Sequence, residues 1–238
     1  MDDPFFEPYD RSNIAYGDVP THGVQSIIEL TPQDGKLRHA LDLGAGAGRD
    51  TLALAEAGYE VVSVDLSSRG LERVRQRAEQ SNVSQRVNTI VSDVREFQIA
   101  PEKYDAIIGT TVLDHIPLPD AERLWRSMTN GLADNGLLSI EVHSTEDPGC
   151  SVPPGCNSTA PKSETANAVV NYFPPSRLAR WATDPESRLR ILRYEERLEW
   201  DYTHGPEHLH GKTVLLAARL GALPKWYGQP PAFPKREN

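Results

Sequence analysis

The segment Leu41-Asp42-Leu43-Gly44-Ala45-Gly46-Ala47-Gly48-Arg49-Asp50 constrains this chain more than any other. An apolar run, Arg38 to Leu43, predicts a short strand, and it feeds directly into glycines at three alternate positions. Glycine lets a backbone turn sharply after a strand and approach a ligand that any Cβ would obstruct. In open α/β sheets such a ligand sits at the carboxyl ends of the strands, where the topology switches. The loop therefore predicts a strand–turn–helix unit with a binding crevice above it.

The rest of the chain follows suit. Helical spacing of Val24, Ile27 and Ile28 is ended by Pro32 and Gly35. A helix is predicted over Asp50–Ala57 and stopped by Gly58. Next come a β-branched strand over Glu60–Val64 and a helix capped by Ser67, with Leu71, Val74 and Ala78 on one face. Strands are predicted over Val87–Val91, Tyr104–Gly109 and Leu137–Val142, the last preceded by a helix that Asp120 caps. Strands alternating with helices imply parallel pairing and right-handed crossovers. After the helix Ser176–Ala182, two strand-like runs, Leu189–Trp200 and Lys212–Arg219, suit an antiparallel hairpin whose turn spans Asp201–Gly211. The fold expected is α/β: a Rossmann-like, seven-stranded, mostly parallel sheet with an antiparallel C-terminal hairpin and helices on both faces. Residues 1–20 read as an arm, 21–221 as the domain, 143–171 as a lid or substrate loop, and 222–238 as a Pro-rich tail.

Composition bounds the partners. The 238 residues carry 34 acidic and 25 basic side chains, a net charge of −9, with no Lys/Arg stripe. That argues against nucleic acid, whose phosphates need local positive charge. No apolar run approaches the roughly 20 residues that span a bilayer, so no membrane partner is expected. Two cysteines, Cys150 and Cys156, fit a reducing cytoplasm rather than a disulfide scaffold. The oligomeric state is left open between monomer and homodimer.

Two acidic residues flank the glycine loop in a telling way. Asp42 lies two residues before Gly44, where it can meet an ammonium group. Asp65 ends the second strand, where a carboxylate can accept two hydrogen bonds from ribose hydroxyls. Arg49 stands where the dinucleotide fingerprint G-x-G-x-x-G needs its last glycine. Asp42-Leu-Gly-Ala-Gly-Ala-Gly48 with Asp65 resembles motifs I and II of the class I S-adenosylmethionine-dependent methyltransferases. The resemblance implies S-adenosyl-L-methionine as cofactor. It implies that Asp42 with Gly44, Ala45 and Gly46 holds the methionine part, Asp65 with Leu66 the ribose, and Asp93 with Val94 the adenine. Thr110 would lie beside the methionine part.

Tyr16, Thr21-His22, Leu54 to Tyr59 and Gly211-Lys-x-x-x-Leu-Leu-Ala217 further resemble the tellurite-resistance and thiol methyltransferase group. Ala45, Asp50 and Pro20 stand where that group commonly has Cys, Asn and Arg, so an altered acceptor pocket is expected. The function implied is methyl transfer to a small-molecule acceptor: a metalloid oxyanion, a thiol or a small metabolite. A natural-product tailoring enzyme and a non-catalytic S-adenosylmethionine-binding module are the alternatives.

Catalytic candidates are His115, oriented by Asp114; His143, at the end of the fifth strand; and His208, in a hairpin turn expected to be solvated. His208-x-His210 puts two imidazoles on one side of an extended chain, yet no third ligand can be identified in the sequence. No metal is therefore assigned. Cys150 and Cys156 could hold a thiophilic metalloid only if both face the pocket. Trp181, Trp200, Tyr172 and Phe173 are candidates for core or acceptor pocket.

Overall fold

A computed structural model of the chain describes residues 17–150, 160–202 and 205–221. Tyr16, Cys156, His204, most of the N-terminal arm and the tail from residue 222 lie outside the described residues.

Helix α1 (His22–Leu30) precedes strand β1 (Arg38–Leu43), α2 (Arg49–Glu56), β2 (Tyr59–Asp65), α3 (Ser68–Gln80), β3 (Val87–Val91) and β4 (Tyr104–Thr110). Then follow α4 (Leu118–Gly131), β5 (Leu132–His143), α5 (Arg177–Thr183), β6 (Leu189–Asp201) and β7 (His208–Arg219). One sheet holds all seven strands in the order β3-β2-β1-β4-β5-β7-β6. Its first five strands are parallel, whereas β7 runs antiparallel to both β5 and β6. The order reverses between β1 and β4, which is where a doubly wound sheet opens its crevice.

The two faces of the sheet alternate residue by residue, as a pleated strand requires. Leu41, Ile107 and Leu138 pack with Leu124, Trp125 and Met128 of α4 on one face. Their neighbours Ala40, Ile108 and Leu137 pack on the other with Val24, Ile27 and Leu54 of α1 and α2. Phe173 and Trp181 join the first of these layers, so they are core rather than acceptor pocket.

Three expectations shift. Pro117, not Asp120, precedes α4; Asp120 sits in the first turn, where its charge complements the helix N-terminus. Strand β5 starts at Leu132, directly after the helix, because a bulge against β4 lets pairing begin early. Strand β7 starts at His208 rather than Lys212, pairing with Asp201, so the hairpin turn is shorter than expected. His208 and His210 are consequently buried, not solvated.

Candidate functional site

A cleft of about 530 Å³ opens over the carboxyl ends of β1, β2, β4 and β5 and is closed at one side by the β6–β7 hairpin. Its floor is the glycine loop. Gly44 has φ +72°, and a Cβ built there would lie 2.5 Å from Val112 Cγ2, so only glycine makes this turn without displacing the β4 side of the cleft. The N–H groups of Gly44 and Ala45 donate to the Val64 carbonyl at 2.8 and 3.1 Å, fastening the loop to β2. The start of α3 presses equally close: a Cβ on Gly70 would stand 2.7 Å from the Gly46 carbonyl oxygen.

Acidic groups surround this loop. Asp42 is buried and accepts the Thr51 hydroxyl at 2.6 Å. Burial, reinforced by the nearby Asp50, pushes its carboxyl up to about 7. Asp65 accepts the Gly46 N–H at 2.8 Å on one oxygen and the Ser67 N–H at 2.7 Å on the other. Burial raises its carboxyl too, against the pull of those two donors. Asp93 is held by Arg95, whose guanidinium reaches both carboxylate oxygens and keeps the group below the usual carboxylate range. Asp50 is the residue sequence reasoning passed over as a mere departure. It is buried and accepts the Thr21 N–H at 2.8 Å, the Thr21 hydroxyl at 3.1 Å and the Thr110 hydroxyl at 3.2 Å. Thr110 therefore lines the cleft as a strut tied to Asp50.

All nine residues expected to hold the cofactor line this one cleft: Asp42, Gly44, Ala45, Gly46, Asp65, Leu66, Asp93, Val94 and Thr110.

The opposite end is polar and rich in histidine. The buried Asp114 accepts both the backbone N–H of His143, at 3.0 Å, and its Nδ1, at 2.5 Å, through one oxygen. Its other oxygen lies 3.4 Å from His115 Nδ1. Burial alone would raise Asp114, but the two imidazoles outweigh it and hold the carboxyl far below its ordinary value. Burial likewise works against a charged His115, yet Asp114 prevails and raises it. His115 and His143 both line the cleft.

His208 does not line it. It stands behind His210, with the Nε2 atoms of the two rings 3.0 Å apart. Burial lowers the pKa of His210 despite its contact with Asp147. Glu141 and Lys212, joined at 2.9 Å, complete the wall with Asp201 and Trp200. Glu141 was legible in principle, since it lies two residues before His143 on the same strand face. Asp147, in a turn, carried no signal. Cys150 is buried and is not among the cleft-lining residues, so a dithiol site facing the pocket is not formed by it.

A seven-stranded sheet of this order, with a glycine loop and a row of acids at its carboxyl edge, defines the class I methyltransferase fold. Residues 40–136 match the methyltransferase domain family, and the chain resembles the TehB group of S-adenosyl-L-methionine-dependent methyltransferases. TehB of Haemophilus influenzae is 31% identical over 116 residues, covering 48% of this chain and 39% of TehB. The tRNA 5-carboxymethoxyuridine methyltransferase of Escherichia coli K12 is 33% identical over 123 residues, covering 50% of this chain and 44% of that protein. The chain thus spans less than half the length of these curated relatives. The crystal structure of Haemophilus influenzae TehB superposes with a TM-score of 0.65 at 19% identity, covering 90% of this chain and 65% of TehB. Among the described residues, no helix is long and apolar enough to cross a membrane.

Proposed function

We propose that this chain transfers a methyl group from S-adenosylmethionine to a small-molecule acceptor bound between the glycine loop and His143. One observation carries the reading. Asp42, Asp65 and Asp93, from the ends of β1, β2 and β3, converge with the glycine loop on a single cleft. The donor set fits the cofactor: Asp42 is a buried carboxylate suited to an ammonium, Asp65 retains lone pairs for vicinal hydroxyls, and the apolar Leu66 and Val94 flank a planar base.

When bound, the cofactor supplies a methyl group activated on a sulfonium, so the protein's task is placement and exclusion of water. Alignment of two bound reactants supplies on the order of 7–11 kcal/mol. Asp42 anchors one end of the cofactor and Asp65 the middle, while Thr110, braced by Asp50, borders the reacting region. On the acceptor side His143 is the catalytic candidate. Nδ1–H donates to Asp114, leaving Nε2 as the basic nitrogen for an acceptor that arrives protonated, such as a phenol or amine. Thiolates and metalloid lone pairs need no such base. His115 borders the same space, where Asp114 favours its protonated form over burial.

The relatives' acceptors range from a tRNA uridine to 1,6-didemethyltoxoflavin, so the acceptor is the quantity to measure. The test is release of S-adenosylhomocysteine across phenols, amines, small thiols, tellurite, selenite and unmodified tRNA. Turnover with at least one small acceptor is expected. Turnover on tRNA alone overturns the small-molecule assignment, and cofactor binding without turnover on any acceptor favours a sensor.

Asp42 makes binding pH-dependent. An ammonium pairs with the carboxylate, not the acid. Affinity for S-adenosylmethionine should therefore rise as pH increases toward about 7, by up to roughly tenfold per unit, and then level off. Asp42→Asn should flatten that profile in isothermal titration. The unliganded protein should behave oppositely. A carboxyl raised on folding adds stability that is full below its unfolded value, 3.8, and is lost as pH rises through about 7. Its melting temperature should thus be higher near pH 6 than near pH 8.

A further inference from the structure

The β6–β7 hairpin carries a constellation that methyl transfer does not use. His208 and His210 lie two apart on β7, so their side chains fall on one face of the strand. Asp201, the last residue of β6, pairs directly opposite His208. The two imidazoles meet edge-on, with centroids 4.7 Å apart and planes at 90°.

The hydrogen-bond partners determine which ring nitrogens carry hydrogen. His208 Nδ1 is 2.7 Å from the Pro206 carbonyl oxygen, which can only accept, so Nδ1 is the donor. His210 Nδ1 is 2.9 Å from Asp147 Oδ2. That carboxylate also accepts the Gly149 N–H at 2.7 Å and the Gly211 N–H at 3.1 Å, so it too faces donors. A neutral imidazole has one N–H. With both Nδ1 atoms donating, both Nε2 atoms present lone pairs, and they point at each other across 3.0 Å. Two lone pairs so placed repel unless a cation, a proton or a metal ion, lies between them. A carboxylate is at hand: Asp201 Oδ2 is 3.9 Å from His210 Nε2, and the three groups offer ligand atoms within 4.8 Å of one another.

We propose that Asp201, His208 and His210 bind a divalent transition-metal ion of the borderline class, such as Zn²⁺, Co²⁺ or Ni²⁺. Two imidazoles and one carboxylate suit these ions, whereas Mg²⁺ and Ca²⁺ favour all-oxygen shells. Ligand bonds of about 2.0–2.2 Å set donor atoms around one ion roughly 3–3.5 Å apart, so a small movement of Asp201 closes the set. The outer contacts match as well. Ligating histidines commonly donate their distal N–H to a carbonyl or carboxylate, as His208 does to Pro206 and His210 to Asp147.

A second grouping, His143, Asp147 and His210, is also compact. It would draw on Asp147, which already accepts from His210 Nδ1 and from the N–H groups of Gly149 and Gly211, whereas the first grouping leaves those contacts in place. Asp201 and His210 line the cleft, so the ion borders the acceptor end, where an oxygen, nitrogen or sulfur of a bound molecule can join its coordination shell.

The test uses the full chain without a polyhistidine tag, titrated with zinc chloride by calorimetry and with cobalt chloride by visible absorption. One equivalent of Zn²⁺ is expected, and Co²⁺ should develop ligand-field bands in the visible region. Asp201→Asn, His208→Gln and His210→Gln should each weaken Zn²⁺ binding at least tenfold, while His143→Gln leaves it within about twofold. Asp201 is half-buried at the hairpin end, so its variant reports on the site even if a histidine variant misfolds. The assignment is overturned if binding does not saturate, if Asp201→Asn binds as tightly as the parent, or if His143→Gln abolishes binding. Cofactor affinity, measured separately, keeps this outcome distinct from the methyl-transfer reading.

Discussion

Asp65→Ala should lower affinity for S-adenosylmethionine by tenfold to several hundredfold while leaving the far-ultraviolet circular dichroism unchanged. The carboxylate has two tasks. In the proposed function it accepts hydroxyl hydrogen bonds from the cofactor, and it already holds the Gly46 and Ser67 N–H groups at 2.8 and 2.7 Å. Hydrogen bonds to a charged group contribute about 1.5–3 kcal/mol each. Losing even one to the cofactor therefore accounts for the lower figure, and a loosened glycine loop adds to it. Asp65→Asn is the sharper variant. One of its two terminal atoms becomes a donor facing a backbone N–H, so it should not restore binding. Isothermal titration decides the matter: parental affinity in both variants removes Asp65 from the binding site.

The second large effect concerns His143 and Asp114. With a proton-bearing acceptor found by the screen, His143→Gln should lower kcat by roughly 10²–10⁴-fold, with cofactor affinity held within a few-fold. Asp114→Asn should lower kcat in the same direction. Its amide oxygen can still accept both the backbone N–H and Nδ1 of His143, but it carries no negative charge, so the ring is held less firmly and its protonated form loses the counter-charge. Asp114 acts as a positioning residue, and its variant should also alter the pH profile of kcat rather than only its height. With a thiolate acceptor neither change should matter much, because no proton has to leave. Equal losses on both acceptor types would assign the pair a structural role instead.

Asp114 also bears on stability. Its carboxyl lies far below the usual range because two imidazoles face it in a buried site. Such a group adds stability that is present above its unfolded pKa and lost only as pH falls toward the folded value. It thus opposes the trend set by Asp42, but only in strong acid. Between about pH 6 and 8 the raised Asp42 carboxyl sets the trend, and the raised His115 acts in the same direction, its contribution also being lost as pH rises.

The strands were legible because their signals are local. Arg38–Leu43 and Val87–Val91 have the bounds that apolar and β-branched patterning predicts, and the remaining strands differ chiefly at their ends. The meeting of three acids at one cleft was legible for a related reason. In a parallel sheet every strand delivers its last residue to the same edge, so Asp42, Asp65 and Asp93 had to arrive together once the strand order was right. The Pro117 cap of α4 and the early start of β7 were not legible, since cap choice and hairpin length depend on pairing across the sheet.

By itself, then, the chain's order of residues determined the alternating architecture, the glycine turn and the acidic rim, all properties set within a few residues by backbone geometry and side-chain period. Tertiary structure alone decided the histidine end. Asp114 meets His143 across 29 residues and Asp147 meets His210 across 63. The third partner for His208 and His210 is chosen by the register that sets Asp201 opposite His208. Contacts of that range depend on which strands neighbour one another and by how much they are offset, and no local pattern encodes either.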